Sequence, residues 1–286
     1  MATDGLRDYE KADVTKWEHV KFDSLPEFLA LTPEDVDPNC GWSFRENNAQ
    51  SWLGIEGGND AIKKVAREGY PEGVRRAKKA MSQMHNPPRA TSFRRVRIRG
   101  DKGKLDMDRF LNNADKDLFI QRKRRKVRGR TRQAVYNIYI DIGANAGVNA
   151  DEYQWRIHTA LAVVNTLRRA GASCRVIGYF LSTSTFTDRG KGKKPNTCVE
   201  VVIKEAGQPV NMDRLAMFML SGMFRRYGFI ALGTNKGRKV SWGLGSHDTR
   251  TAPLSAQDHD LIISGAINCE AKATELVEWY VGFLND

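Results

Sequence analysis

An apolar run that ends in a carboxylate constrains the fold more than any other feature of this sequence. Residues 135–140, VYNIYI, form a near-continuous apolar run, Asp141 follows them directly, and the small residues GANAG (143–147) come next. A short run rich in β-branched and aromatic residues is typical of a strand buried on both faces of a sheet. We therefore expect Asp141 to end a central strand, directly before a turn.

Strand and helix patterns alternate along the chain after this run. Apolar positions recur at helical spacing in residues 151–170, and Gly171 marks the end of that helix. Further strands are predicted at CRVIGYFLSTST (174–185), TCVEVVIKEAG (197–207) and DHDLIISGAIN (258–268), and further helices at 211–228, capped by Asn211, and at 270–284. This alternation predicts an α/β fold with a parallel-centred sheet and helices on both faces.

The sequence before this domain divides into two parts. Residues 1–88 predict a small helical module, and the double proline at 87–88 marks its end. Residues 89–132 form a basic connecting segment, and residues 133–286 form the α/β domain. Within the connecting segment, the patterns predict a short strand at 93–99 and a short amphipathic helix at 104–120. In the α/β domain, the glycine-rich stretch 229–246 is expected to hold one more short strand.

The positive charge of the chain is concentrated in the connecting segment. Residues 89–132 hold 17 of the 46 Lys and Arg residues but 5 of the 34 Asp and Glu residues, so the rest of the chain has 29 of each sign. The whole excess of +12 therefore lies in this segment. Basicity confined to one segment indicates a surface for a polyanion more than a general aid to solubility.

Nucleic-acid phosphates are the expected partners of these cations, because a dense cationic run repels itself when free and releases counterions when it binds phosphate. A solvated linker between two domains is the alternative. The predicted phosphate-binding residues of the segment are Arg94, Arg95, Arg97, Arg99, Arg122, Lys123, Arg124, Arg125, Lys126, Arg128, Arg130 and Arg132. Two basic loops, expected at the Asp141 end of the sheet, add Lys191, Lys193, Lys194, Lys236, Arg238 and Lys239. Phe93 and Trp242 are candidate stacking aromatics, which favour single strands.

Three stretches together resemble the core of a von Willebrand factor A-type domain. They are VYNIYIDIGANAG (135–147), GASCRVIGYFLSTST (171–185) and DLIISGAIN (260–268), each in the order in which the family has a core strand. The family's first strand ends in a DxSxS motif and is followed by a helix. The resemblance covers about residues 133–286. It implies an A-type α/β fold for that part of the chain.

The metal motif of the A-type family is only partly kept. Asp141, Gly143 and Asn145 stand where the family has Asp, Ser and Ser, and Ser264-Gly265 replaces the family's Asp-Gly. A hard cation needs several oxygen ligands, and Asp141 is the only charged candidate here. We therefore expect no cofactor and interpret Asp141 as a residue that hydrogen-bonds the next turn. A magnesium site formed by Asp141, Asn145 and Ser264 is the alternative.

The N-terminal stretches SWLGIEGG (51–58) and AREGYPEG (66–73) resemble a family of uncharacterised tailed-phage proteins. In that family a W-x-G element and a G-[WY]-P-E-G element flank a helix. The resemblance implies a phage-encoded protein that acts in the host cytoplasm. Some such phages make single-stranded-DNA-binding cofactors that recruit a polymerase, so a polymerase or another replication or transcription protein is an expected partner.

We expect no enzymatic activity and no catalytic residue. The five histidines lie in unrelated contexts, and GxSxG, Walker and HExxH motifs are absent from the sequence. No apolar run reaches the length of a membrane span, so no membrane partner is expected. The four cysteines are well separated, which is typical of a reducing cytoplasm and not of a disulfide framework.

These patterns predict a non-catalytic protein that binds nucleic acid, single-stranded DNA or RNA in preference to duplex, and supports phage transcription or replication. The alternative is a protein-interaction or assembly module. In that case the A-type domain would bind an acidic residue of a partner, with a metal at Asp141 or without one. The two hypotheses differ in how binding should depend on salt and on Asp141.

Overall fold

Two β-sheets organise the part of the chain that the structure describes. The structure is a computed structural model, and it describes residues 17–36, 48–83, 95–100, 104–105, 119–124, 135–143, 150–170, 172–182, 196–234 and 260–285. The strands are β1 (Trp17–Phe22), β2 (Arg95–Gly100), β3 (Lys104–Leu105), β4 (Phe119–Arg124), β5 (Val135–Asp141), β6 (Ser173–Ser182), β7 (Asn196–Lys204) and β8 (Leu261–Ile263).

The helices fall between and around these strands. They are α1 (Leu25–Leu29), α2 (Gln50–Leu53), α3 (Gly58–Glu68), α4 (Pro71–Gln83), α5 (Ala150–Ala170), α6 (Met212–Ala216), α7 (Ser221–Met223), α8 (Phe229–Gly233) and α9 (Glu270–Asn285). A π-helical turn, Phe224–Gly228, joins α7 to α8, and the 3-10 helices Pro33–Asp35 and Met217–Met219 complete the described helical structure.

The larger sheet has five strands in the order β1-β7-β6-β5-β8. Strand β5 pairs in parallel with β6 and β8, and β1 pairs in parallel with β7, whereas β6 and β7 are antiparallel. The predicted α/β class with a mostly parallel sheet is therefore confirmed. The apolar run identified in the sequence forms β5, and Asp141 is its last residue.

The two faces of this sheet are buried in different ways. Ile138 and Ile140 of β5 belong to a large hydrophobic cluster to which every α-helix of the described part contributes. Tyr139, between them, belongs to a smaller cluster formed by residues of strands only. Since successive strand residues lie on opposite faces, the two clusters lie on opposite sides of the sheet. The described helices thus pack on one face, and the predicted helical layer on the other face is not seen among them.

The N-terminal helices share the core of the α/β domain. Phe28 and Ile62 are completely buried in the large cluster, and the Arg214 guanidinium donates hydrogen bonds of 3.0 Å to the carbonyl oxygens of Ala66 and Arg67. The boundary predicted at residues 87–88 lies outside the described residues. The described segments on its two sides, however, pack as one core.

Two local predictions can be compared with the structure. The helix predicted over 104–120 is wrong at both ends, because residues 104–105 and 119–120 belong to β3 and β4. Apolar residues at helical spacing are outweighed there by pairing with a neighbouring strand, a contact that a local pattern does not contain. Residues 229–233, at the start of the stretch in which a short strand was expected, are helical in α8, and residues 235–246 of that stretch lie outside the described residues.

The helix predicted over 211–228 begins as expected and then breaks. Asn211 caps it, since its Oδ1 accepts a 3.0 Å hydrogen bond from the Arg214 amide. The backbone becomes extended at Leu220, and the pieces Met212–Met219 and Ser221–Gly233 meet at 87°. No single described helix is long and apolar enough to cross a membrane; these two pieces reach that length and composition only together. Residues 215–228 are buried within the protein.

Gly222 tests whether the N-terminal helices and the later helices form one core. A Cβ at this position would lie 2.5 Å from Ile62 Cδ1 and 2.8 Å from the Leu53 carbonyl oxygen. We expect Gly222→Ala to lower the free energy of unfolding by about 1–3 kcal/mol, because a backbone oxygen cannot move aside cheaply. Urea unfolding would measure this loss, and Gly207→Ala provides a control, since a Cβ there meets nothing within 4 Å.

Because Gly207 has a φ of +82°, its alanine variant carries a backbone penalty of its own. The comparison of the two alanine variants therefore uses the shape of the urea unfolding transition as well as its midpoint. A single cooperative transition that shifts as a whole is expected for Gly222→Ala. Two separate transitions, with only one of them shifted, would contradict a shared core.

His158 predicts that the fold loses stability in acid. Its side chain is buried on α5 beside Trp155, and burial, followed by the positive charge of Arg76, lowers its pKa to about 4 from the usual 6.5. The folded state therefore binds fewer protons than the unfolded state between these values, and stability falls as the pH falls from 6.5 to 4. Each pH unit in that window costs about 1.4 kcal/mol when the difference is one proton.

The measurement is the free energy of unfolding of the wild type and of His158→Phe at several values between pH 7 and pH 4. The variant keeps a planar ring but cannot titrate. We expect the free energy of unfolding of the variant to fall less steeply as the pH falls. The difference between the two slopes should correspond to nearly one bound proton. Parallel curves for the two proteins would show that His158 does not titrate in this window.

Candidate nucleic-acid interface

The strand β4 brings the two predicted arginine clusters into one sheet. This smaller sheet has the order β2-β4-β3, and all its pairs are antiparallel. Arg95 lies directly opposite Arg124, and Arg97 lies directly opposite Arg122. Residues 95–99 and 122–124 therefore belong to one sheet in the structure, although the sequence shows them as separate basic stretches.

Strand alternation sorts the residues of this sheet onto two unlike faces. Directly opposed residues share a face, and along each strand every second residue does so. One face, which we call the cationic face, has the positions of Arg95, Arg97, Arg99, Lys104, Arg122 and Arg124, with Ile120 among them. The other face has the positions of Val96, Ile98, Gly100, Leu105, Phe119, Gln121 and Lys123. The sheet is thus strongly charged on one side and mostly apolar on the other.

The cationic face places like charges opposite one another. Opposed residues of an antiparallel pair have Cβ atoms about 4.5–5.5 Å apart, and like charges at such positions destabilise the sheet. Here that arrangement occurs twice, at Arg95–Arg124 and at Arg97–Arg122. A bound polyanion would convert both repulsions into attraction. The strand register, which places these arginines opposite one another, therefore favours the binding of phosphates.

The remaining predicted nucleic-acid residues lie outside the described part of the chain. They are Phe93, Arg94, Arg125, Lys126, Arg128, Arg130, Arg132, Lys191, Lys193, Lys194, Lys236, Arg238, Lys239 and Trp242. Of the predicted set, the structure describes Arg95, Arg97, Arg99, Arg122, Lys123 and Arg124. It separates Lys123 from the other five, because Lys123 occupies the opposite face.

Lys104 is a cationic position that the local sequence pattern does not reveal. It pairs with Ile120 and therefore shares the face of the arginines. Its signal was weak, because KGKLD contains no arginine run and the local pattern resembled the start of a helix. Only the pairing with β4 assigns Lys104 to the cationic face.

Asp141, the predicted end of the central strand, is held by contacts within the protein. The carboxylate is 1% exposed, and its Oδ1 accepts a 2.9 Å hydrogen bond from the Gly143 amide. Its Oδ2 lies 3.2 Å from Nη1 of Arg156, a buried residue of α5. The same Nη1 donates a 2.9 Å hydrogen bond to the Gly143 carbonyl oxygen. The predicted hydrogen bond to the following turn is present, and Arg156 adds a positive charge beside the carboxylate.

Tyr153 is a further buried polar side chain beside this ion pair. Tyr153 is completely buried, and its hydroxyl donates a 2.9 Å hydrogen bond to the Ile142 carbonyl oxygen. Burial is the main cause that raises the pKa of Tyr153 above its usual value. The Arg156 guanidinium lies 5.3 Å from the centre of the Tyr153 ring. The sequence pattern gives only a weak indication of the role of Arg156. The indication is that this cation follows Tyr153 by three residues, on the apolar side of the predicted helix.

The other predicted oxygen ligands are placed in part. Ile140 pairs with Ile263, so Asp141 and Ser264 directly follow paired positions of neighbouring parallel strands, as expected. Ser264 Oγ accepts a 3.3 Å hydrogen bond from the Ala266 amide. Asn145 lies outside the described residues. With a guanidinium already at 3.2 Å, the Asp141 carboxylate is an unfavourable first ligand for Mg²⁺.

Removing Arg156 tests the role of this ion pair. We expect Arg156→Met to lower the free energy of unfolding by about 3–5 kcal/mol, because it leaves the Asp141 carboxylate buried without its charge partner. The double variant Asp141→Asn, Arg156→Met should regain more than half of that loss. Denaturant unfolding of the two single variants and the double variant gives the coupling directly. Strictly additive losses would mean that the two side chains do not interact.

Comparisons with known proteins identify the family of this chain. A family model described as a domain of unknown function, DUF7192, matches residues 11–284. No curated protein and no solved structure matches the sequence. The matched region includes the helical N-terminal part, the basic segment and the α/β domain together. The chain therefore belongs to the DUF7192 family, whose members share a domain of unknown function.

Proposed function

We propose that this protein binds nucleic acid without catalysing a reaction, and that it prefers single strands to duplex. One observation carries the proposal: the register of β2, β4 and β3 puts six basic positions and one apolar position on a single face of one sheet. A charge arrangement of this density is favourable only next to several negative charges. The phosphates of a nucleic acid supply them in a regular row.

The shape of the sheet supports a single strand as the ligand. The major groove of duplex DNA admits an α-helix or a two-stranded ribbon, whereas the cationic face extends over three strands. A charged surface that is three strands wide fits a flexible single strand, which can follow the rows of cationic positions. Opposed positions of such a sheet have Cβ atoms about 5 Å apart, and successive positions on the same face of a strand are about 7 Å apart, so the spacing allows a phosphate to meet more than one cation.

The chemistry at Asp141 supports a non-catalytic protein. A nuclease that used Asp141 would need this carboxylate to hold a metal ion together with other carboxylates. Here its two oxygens contact the Gly143 amide and the Arg156 guanidinium. These contacts favour a structural role for Asp141, and they also weaken the hypothesis of an assembly module that binds partners through a metal at this position.

We further propose that β5 to β8, with α5 and α9, form a von Willebrand factor A-like domain. The support is the order of elements: a buried strand that ends in Asp141, a long helix, a strand, and a later core strand followed by a final helix. Parallel pairing of β5 with β6 and β8 agrees with this proposal. A role in phage transcription or replication, beside a polymerase, stays a prediction from the N-terminal resemblance.

The proposal is tested by fluorescence anisotropy with a labelled single strand of mixed sequence over a series of salt concentrations. Six phosphate contacts with a single strand predict that the logarithm of the association constant falls with the logarithm of the salt concentration with a slope of about −4 or steeper. Arg122→Gln should flatten this slope by about 0.7 and weaken binding about fivefold at 0.1 M salt, because one contact is lost. Matched duplex DNA and RNA are measured beside it.

Lys123→Gln is the matched control for Arg122→Gln. The two variants remove one charge each from adjacent residues of β4, but from opposite faces of the sheet. We expect Lys123→Gln to leave the slope nearly unchanged. Equal effects of the two variants would show that binding depends on diffuse charge and not on the cationic face. No binding of any of the three nucleic acids at low salt would refute the proposal and favour a protein-interaction module.

A further inference from the structure

A second group of functional side chains lies on the larger sheet, where β1 and β7 run side by side. His19 of β1 is directly paired with Cys198 of β7, and Glu200 follows Cys198 by two residues. Paired residues share a face, and so do residues two apart on a strand. The three side chains therefore lie together on the face opposite the helices, the face of the smaller hydrophobic cluster.

The distances within this group suit a metal ion. One ligand atom of each side chain, a ring nitrogen of His19, Sγ of Cys198 and a carboxylate oxygen of Glu200, lies within 4.8 Å of the other two. His19 Nδ1 is 3.4 Å from Glu200 Oε1. Two ligands at about 2.1 Å from a tetrahedral metal lie about 3.4 Å apart, so this pair already has the required separation.

Burial makes it favourable for these side chains to share a bound metal ion. Cys198 is fully buried, and the side chains of His19 and Glu200 are 20% and 13% exposed. Both ring nitrogens of His19 are enclosed and lack a hydrogen-bond partner in the described part of the structure. A buried polar atom without a partner costs free energy, which a bound metal would remove at one nitrogen.

The charges around the group also permit a cation. Lys21 Nζ lies 3.4 Å from Glu200 Oε2, so one oxygen of this carboxylate faces an ammonium and the other faces His19. Lys21 is 58% exposed and can turn into solvent when a metal arrives. One thiolate, one carboxylate and one neutral imidazole balance the charge of a divalent ion. A neutral site is the least costly to bury.

We propose that His19, Cys198 and Glu200 form a site for a divalent transition metal of the zinc class. A sulfur, a nitrogen and a carboxylate oxygen together suit Zn²⁺ or Co²⁺, whereas Mg²⁺ and Ca²⁺ require oxygen ligands. Three protein ligands leave one tetrahedral position for water or another ligand. Binding forms a bond from Sγ to the metal and releases the thiol proton to solvent, without a change of oxidation state.

Such a site would attach an edge strand of the described sheet to its neighbour. β1 contributes His19 and β7 contributes the other two ligands, so the metal would link the N-terminal strand to the α/β domain. The proposal is independent of nucleic-acid binding, since its ligands belong to a different sheet from the cationic face.

The test is a Co²⁺ titration of the full-length protein after removal of metals by a chelator. We expect one equivalent to bind, with tetrahedral d–d bands and a sulfur-to-cobalt charge-transfer band in the near ultraviolet. Cys198→Ser should abolish the charge-transfer band. It should also weaken binding by more than the 10- to 100-fold that is typical of an outer-shell change. At a hundredfold excess of Zn²⁺ over its dissociation constant, the melting temperature of the wild type should rise by about 5 °C.

Cys174→Ser is the matched control. Cys174 is also a buried, free cysteine of the same sheet, but it lies on the face packed against the helices. We expect this variant to bind Co²⁺ with the wild-type band. His19→Gln, on the partly exposed edge strand, serves as the second variant if circular dichroism shows that Cys198→Ser does not fold.

Three results of the cobalt titration would overturn the proposal, and a fourth comes from His19→Gln. They are a wild-type protein that shows no cobalt–sulfur band, a folded Cys198→Ser that keeps the band, and a Cys174→Ser that loses it to the same extent. Wild-type affinity in His19→Gln would also refute it. Each of these results leaves the nucleic-acid hypothesis untouched, because that hypothesis is tested in metal-free buffer.

Discussion

Successive residues of a β-strand lie on opposite faces of the sheet, so the register between strands decides which side chains share a surface. In the smaller sheet, the pairing of Arg95 with Arg124 places the described arginines of both clusters on one face. A slip of one residue would move Arg122 and Arg124 to the apolar side. In the larger sheet, the pairing of His19 with Cys198 has the same consequence for the proposed metal ligands. Both proposed binding properties therefore depend on register, and composition alone would not produce them.

The buried charges of Asp141 and Arg156 are paired with each other, whereas the clustered charges of the cationic face lie opposite like charges. Asp141 and Arg156 are both nearly inaccessible, and they compensate each other across 3.2 Å beside the hydrogen bonds of the next turn. Removing two charges from water is costly, and only such close pairing offsets the cost. The cationic face has no comparable compensation in its own register, since arginine lies opposite arginine. Each such pair destabilises the sheet by a few tenths of a kcal/mol or more, so under the proposed function a bound polyanion would stabilise this sheet.

Local sequence patterns predicted the parts of the fold that local interactions determine. The apolar run before Asp141 identified β5, and the capping role of Asn211 followed from its side chain and position. Patterns could not predict β4, where FIQRKR combines two apolar residues with a polybasic run. Its strand conformation depends on pairing with β2 and β3, so the information lies in other segments. The same limit applies to the candidate sites. The clustering of basic residues was evident, but Arg156, Lys104 and the group around Cys198 became visible only when distant residues were placed side by side.

The make-up of the cationic face also indicates what kind of binding it can support. Guanidinium groups recognise phosphate through two parallel hydrogen bonds, and phosphate contacts carry no sequence information. Ile120 is the one apolar position among the six cations of this face. Reading a sequence requires contacts to base edges, and holding a base requires an aromatic ring. The described positions of this face hold no aromatic residue, so under the proposed function they would supply affinity and its dependence on salt through phosphate contacts. Stacking of bases on rings would have to come from residues such as Phe93 and Trp242, which lie outside the described part of the chain. A surface that uses its arginines for phosphates in this way would tolerate many sequences.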